Sequence, residues 1–440
     1  VLFQCDQLTA ANIMSSVSPY VSLVFPLILC WTVFLANALV PPSKTFKLSI
    51  RGRQRPIAEF GSTYITTSFS AYPFRVCFYN STPNAFILAV GMGNIRSNLG
   101  IKWVWDANRA RPVSKNAILS FGQDGNLVLS DSDGSIAWQT GTANKGVVGL
   151  SLLSNGNLVL LDGKGKIIWQ SFSFPGDTLV PGQSLLSTGP TKLVARVSDK
   201  NGSPGQYTLE MKRTYWSLNY KGLPYHRSTE QINSRIDNMT FSSGPENDDE
   251  YRISLAVYFH ADEFPDSAVT TFTKFNTTYS ILRIGSDGNL YIYSFVERVK
   301  EEPWKTTYKY FDRDKDLTER ECRLPENCGK LGVCQDEQCV ACPQPGGLVG
   351  WSPSCVPPPQ PSCGGAAKYY TVEGVEQFLS VYGDGLGPVK IQDCRSRCSK
   401  DCKCLGYSYN RTSSRCFTTP FIGSLFAVND PTHVFYIKTG

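Results

Sequence analysis

The feature that most limits what this chain can become is a self-match at a period of 31 residues. NLVLSDSDGSIAWQT from Asn126 aligns with NLVLLDGKGKIIWQS from Asn157, pairing Trp138 with Trp169 and Gln139 with Gln170. Within each copy, apolar and polar residues alternate: Leu127 and Leu129 fall on one side, Asn126, Val128 and Ser130 on the other, which is the period of a strand. Asp124-Gly125, Asp133-Gly134 and Asn155-Gly156 are tight-turn dipeptides, so each unit reads as a hairpin-like set of strands. A looser copy upstream, FILAVGMGNIRSNLGIKWVWD, places Trp105 33 residues before Trp138. No unit could bury its apolar face alone, so the expectation is three sheets around a pseudo-threefold axis with the three tryptophans at the centre. Composition agrees: 24 Phe, 21 Tyr and 8 Trp beside 37 Gly and 27 Pro favour an all-β chain of short strands and tight turns.

From Val21 to Ala36 the chain reads VSLVFPLILCWTVFLA, followed by Ala36-Asn37-Ala38, a small-x-small cleavage pattern. The run is shorter than the roughly 20 apolar residues of a membrane span and contains Pro26, so it is read as a signal peptide over residues 14–38. Residues 1–13 are read as a non-native leader. The expected product is secreted and extracellular, with no membrane association after cleavage. Sequons at Asn80, Asn201, Asn238, Asn276 and Asn410 fit a glycoprotein, Asn201 being the weakest because Pro204 follows it.

Twelve of the 15 cysteines fall in the 95 residues from Cys322 to Cys416, whereas Leu39 to Glu321 holds only Cys77. The long segment must therefore rest on its own apolar core and the last quarter on disulfides. Cys77, in FRVCFYN, is read as a buried thiol, with an intermolecular bridge as the alternative. Zinc is the competing use of the clustered thiols, disfavoured by a secretory context without a nearby histidine.

Three scattered histidines leave little for imidazole-based catalysis, and the net charge of +6 is diffuse, so neither an enzyme nor a nucleic-acid partner is expected. Asp312-x-Asp314-x-Asp316 lacks the Gly and Glu that a calcium loop needs at its sixth and twelfth positions, Gly91-x-Gly93 lacks a nucleotide-cradle context, and PENDDEYR reads as a hydrated loop. No cofactor and no metal are expected.

The repeat, together with WQSFSFPGDTLVPGQ from Trp169 to Gln183, resembles the bulb-type mannose-binding lectin domain, a β-prism II fold. The later GSDGNLYIYSF looks like the second lectin-like half of S-locus-type glycoproteins. Cys322, Cys328, Cys334, Cys339, Cys342 and Cys355 have the spacing of an EGF-like module, and YYTVEGVEQFLSVYG with CRSRCSKDCKCLGYSYN resembles a PAN (apple-like) domain. The order of parts is similar to that of the plant epidermis-specific secreted glycoproteins. The resemblance implies tandem prisms over residues 45–170 and 171–315, an EGF-like module over 320–358 and a PAN domain over 362–440. It also implies the pairs Cys394 with Cys416, Cys398 with Cys404 and Cys363 with Cys402, other connectivities staying open on the sequence alone.

Bulb-type lectins hold mannose with Gln-x-Asp-x-Asn-x-Val-x-Tyr, in which alternate side chains of one strand converge on one sugar. The first copy keeps Asp124, Asn126 and Val128 but has Gly122 and Ser130 in place of Gln and Tyr; the second has Leu153, Asn155, Asn157, Val159 and Leu161. Asp287, Asn289 and Tyr293 form the closest match. Each missing group costs about 1–3 kcal/mol, so the mannose sites are read as degenerate, and Asp-Gly-Asn is also simply a turn. Trp216, Tyr220 and Tyr225 could stack on sugar rings, although a core role is the commoner use of such residues. The resulting expectation is a non-enzymatic lectin-like protein of the plant cell wall or apoplast, with wall or microbial glycans as partners. The alternative is a structural or protein-interaction glycoprotein, pairing through its PAN domain; inhibition of a secreted microbial hydrolase is a third.

Overall fold

A computed structural model describes residues 39–440 except 51–56, 98, 229–234, 246–250, 261–265, 276, 278, 300, 315–318, 362–366 and 384. The expected signal peptide, Asn276 and Cys363 lie outside the described residues. No helix among the described residues is long and apolar enough to cross a membrane.

The first prism has three antiparallel sheets. One joins Thr63–Ala71, Phe74–Asn80, Ile87–Gly93 and Ile101–Asp106; the second joins Phe46–Ser49, Ile118–Phe121, Leu127–Ser130 and Ile136–Gln139; the third joins Val147–Leu152, Leu158–Asp162 and Ile167–Gln170. Leu127 and Leu129 are buried while Val128 and Ser130 are half-buried, as the alternation predicts. Trp105, Trp138 and Trp169 meet on the axis with ring centroids 5.8, 6.0 and 5.8 Å apart and every interplanar angle 72°. Edge-to-face packing lets each ring offer its positive edge to the negative face of the next, an arrangement three rings can satisfy cyclically. Phe174 closes one end, stacking on Trp169 and accepting the Trp105 indole N–H at 3.0 Å through its carbonyl.

A second prism follows. The chain lays down Thr178–Leu179, Ser184–Leu186 and Lys192–Arg196, one strand for each of three sheets, and then returns to complete them in reverse order. Pro204–Met211, Trp216–Tyr220 and Leu223–Arg227 finish the first sheet; Arg235–Pro245, Tyr251–His260 and Asp266–Lys274 the second; Ser280–Ile284, Leu290–Phe295 and Trp304–Lys309 the third. Its core is built of aliphatic residues with Tyr207, Tyr220, Tyr225 and Phe311, and it has no tryptophan triad. Trp216, Tyr220 and Tyr225 are buried core residues.

One glycine in each prism fixes how the ring of sheets closes. Gly156 and Gly288 both take φ +88°, and a Cβ there would lie 2.6 Å from the ring of Phe74 or of Tyr207. In each case a turn of the last sheet abuts the first sheet so closely that only glycine fits.

The disulfide-rich segment and the C-terminal region share a sheet. Gly347–Gly350, Gln338–Gln344 and Leu331–Gln335 continue through Gly423–Ala427 to Val375–Glu376, the central pair being parallel. A second sheet of Lys368–Glu373, His433–Thr439, Gly406–Asn410 and Arg415–Thr419 carries the helix Ile391–Lys400. Disulfides join Cys322 to Cys334, Cys328 to Cys339, Cys342 to Cys355, Cys394 to Cys416 and Cys398 to Cys404. Cys402 is also disulfide-bonded. Phe378 and Phe421 stack on each other and enter the second prism's core beside Tyr220, so the C-terminal unit is seated on that prism. Cys77 is a buried free thiol, pushed up to about 12 by burial.

Candidate functional site

A cavity of about 600 Å³ lies between the two prisms. The first prism contributes Glu59, Phe60 and Lys102; the second contributes Arg196, Asp199, Arg283, Asp287, Tyr291, Tyr293 and Trp304. Its floor is a chain of buried charges. Arg283 donates from Nη1 to Glu59 Oε1 at 2.5 Å, from Nη2 to the Trp103 carbonyl at 2.6 Å and from Nε to Thr178 Oγ1 at 2.8 Å. Arg196 donates to Asp177 Oδ2 at 2.9 Å, to the Tyr79 hydroxyl at 2.8 Å and to Asp106 Oδ2 at 2.6 Å. Each guanidinium comes from the second prism and bonds groups of the first, so this network joins the two bodies. Burial pushes the Glu59 carboxyl upward, but Arg283 and Lys102 outweigh it and hold the group down to about 2. Asp177 is likewise held to about 2, burial being overcome by Arg196, Arg283 and Arg109. Both carboxylates stay ionised, as a buried charge can when its partners are fixed.

The walls are aromatic. Tyr291 and Tyr293 stack with centroids 5.7 Å apart, being alternate residues on one face of Leu290–Phe295. Lys102 Nζ sits 3.9 Å from the Tyr293 centroid while bonding Glu59 at 2.6 Å, and burial lowers its pKa. Trp304 donates its indole N–H to the Gly100 carbonyl at 3.2 Å, another tie between the prisms. Burial pushes the Tyr293 hydroxyl up to about 12 and raises that of Tyr291, which donates to Asp287 Oδ2 at 2.5 Å. Aromatic faces beside fixed polar groups are the surface on which a sugar ring can rest.

Residues 102–200 match the family described as D-mannose binding lectin, and residues 384–427 match the PAN domain. Over 443 residues the chain is 41% identical to EP1-like glycoprotein 2 of Arabidopsis thaliana, covering 92% of this chain and 96% of that one. The chain belongs to the EP1-like glycoprotein family. It is also 40% identical to the epidermis-specific secreted glycoprotein EP1 of Daucus carota, over 80% of this chain and 98% of that one. A solved monomeric monocot mannose-binding lectin from Gastrodia elata is 20% identical, covering 29% of this chain and 96% of that one, with a TM-score of 0.18.

In this EP1-like chain the motif residues part company. Asp287 and Tyr293 line the cleft, but Asn289 does not. The Asn289 amide is buried, donating to the Phe311 carbonyl at 2.7 Å and accepting from the Leu290 and Phe311 amides at 2.8 and 2.9 Å. Asn126 is similarly spent: its Nδ2 donates to Gln139 Oε1 at 2.9 Å, and its Oδ1 accepts from Thr140 Oγ1 and the Thr142 amide. Asn157 repeats the pattern with Gln170 at 2.8 Å, which explains the Trp-Gln ending of both repeat units. Asp124 caps its own turn, accepting from the Asn126 amide at 3.1 Å, and Val128 is a half-buried strand residue. Among the sequons, Asn201 is exposed in a turn, Asn80 and Asn238 accept from threonine hydroxyls, and the Asn410 amide meets His433 Nε2 at 2.6 Å. No group of three or more His, Cys, Asp or Glu among the described residues is placed to hold a metal.

Sequence reasoning missed Glu59, Lys102, Asp177, Arg196, Arg283 and Trp304. The available signal was a charge embedded in a largely apolar stretch, Arg283 in SILRIGS, Lys102 in GIKWVWD and Arg196 in KLVARVS, because a strand seldom buries a charge without a partner for it.

Proposed function

We propose that this chain is a secreted, non-enzymatic glycoprotein of the plant cell wall or apoplast that binds wall or microbial glycans in the cleft between its prisms, not at the eroded mannose motifs. In this reading, residues 45–170 and 171–315 are the lectin-like domains, 320–358 an EGF-like module and 362–440 a PAN domain. The observation that carries it is the Tyr291–Tyr293 stack on the wall of a cavity of about 600 Å³ whose floor is already charge-neutralised from within. The site residues are Asp287, Tyr291, Tyr293 and Trp304; Asn126 and Asn289 are structural. Kinship with EP1-like glycoproteins and the D-mannose binding lectin match support a sugar ligand.

A glycan array on the full chain tests this. Binding that is lost in Tyr291→Ala and kept in Asp124→Ala is the expected result; binding lost in Asp124→Ala and kept in Tyr291→Ala would return the site to the repeat turns. A second reading, an interaction glycoprotein without sugar binding, is favoured by the exposed apolar side chains Leu348, Val349 and Trp351 at the outer edge of the C-terminal sheet. Silence across the array supports that one.

A further inference from the structure

We propose that the inter-prism cleft prefers glycans bearing free amino groups, such as oligomers of glucosamine, over their N-acetylated and uronic-acid counterparts; this rests on the reading of the cleft as a glycan site. Five acidic and three basic side chains line the cavity, although the whole chain carries +6. All three cations are already engaged: Arg283 and Lys102 by Glu59, Arg196 by Asp177 and Asp106. Asp199, Asp287 and Glu302 remain, all exposed, and among the described residues none has a cation within 4.0 Å. The opening is thus locally negative on a globally positive molecule.

The cleft also displays how it holds an ammonium. Lys102 Nζ rests on the face of Tyr293 and against a carboxylate, combining a cation–π contact with an ion pair. A ligand ammonium entering beside it would meet the same two kinds of group in Tyr291 and Trp304 and in the carboxylates at the opening. A uronate would meet unpaired negative charge at the opening, because the cations of the floor are already engaged by Glu59, Asp177 and Asp106. Because net charge repels polycations from the rest of the surface, attraction to an amino sugar would be local to this cleft.

Titrating the full chain with a glucosamine tetramer, its fully N-acetylated form and an oligogalacturonate tests the proposal. Three solvent-screened charge contacts predict that the amino form binds roughly tenfold tighter than the acetylated form at low salt, narrowing at high salt. The double variant Asp199→Asn with Glu302→Gln is expected to lose most of that preference while binding the acetylated form within about twofold. Both residues are exposed, and an unchanged melting temperature verifies that the variant is folded. Equal or tighter binding of the acetylated form or the oligogalacturonate overturns the proposal and leaves the glycan reading standing. Preference that survives the double variant also overturns it. Binding of none of the three, nor of any glycan on an array, overturns both.

Discussion

The two prisms share a three-sheet architecture and differ in strand order and at the axis. In the first, three tryptophans from three sheets pack edge to face at 72°, whereas the second fills its interior with Leu, Ile, Met, Phe and Tyr beside Trp216 and buries His226 against Trp216 and Tyr310. Both close the ring by pressing a turn glycine on an aromatic of the first sheet. The lesson is that a ring of three sheets and its closure can be held while the strand order and the axial packing are replaced. What both keep is three antiparallel sheets and a gap only glycine can fill.

That comparison can be broken in several places. Arg283→Met leaves Glu59 and Asp177 buried without their shared partner and should cost about 3–5 kcal/mol. Calorimetry is expected to resolve separate transitions for the prisms, whereas one unshifted transition would mean that the charge network does not couple them. Trp169→Ala removes one ring of the triad and should cost about 3–5 kcal/mol in denaturant titration. A loss below about 1 kcal/mol would mean the axis collapses around the hole, making the two centres interchangeable.

Acid separates the prisms more finely. Burial holds His226 down to about 4, against its ordinary 6.5, with its Nε2 2.8 Å from the Tyr310 hydroxyl. The unfolded chain therefore takes up the proton first: stability from this residue is complete above pH 6.5 and falls by about 3 kcal/mol as pH drops to 4. Glu59 and Asp177, depressed to about 2, keep their contribution down to their ordinary values of 4.5 and 3.8 and lose it progressively as pH falls from there to about 2. Stability measured from pH 7 to 4 should decline, and His226→Phe should flatten the decline. At the closing turn, Gly156→Ala should cost about 1–3 kcal/mol more than Gly134→Ala. Both glycines have positive φ, but only Gly156 has a ring in the way.

Much of the first prism was legible because its repeat units retain Trp, Gln, Asn and Gly at fixed spacing, each with a packing or hydrogen-bonding duty. The second prism was legible only through GSDGNLYIYSF and family likeness, because aliphatic residues exchange freely in a core and leave no periodic mark. The cleft was hidden for a different reason. Glu59, Lys102, Arg196 and Arg283 are far apart in sequence, and only the docking of two finished prisms brings them together. Asp287 and Tyr293 were found by motif, while the same motif drew attention to Asn126 and Asn289, whose amides serve the fold.

The parallel pairing of Leu331–Gln335 with Gly423–Ala427 has a consequence for biosynthesis. The cysteine-dense segment can form its local crosslinks as soon as it emerges, but its sheet waits for a strand some 90 residues later in the chain. A chain interrupted before Gly423 would lack the strand that joins the crosslinked segment to Val375–Glu376, so the sheet begun after Glu321 is completed only by residues far downstream of it.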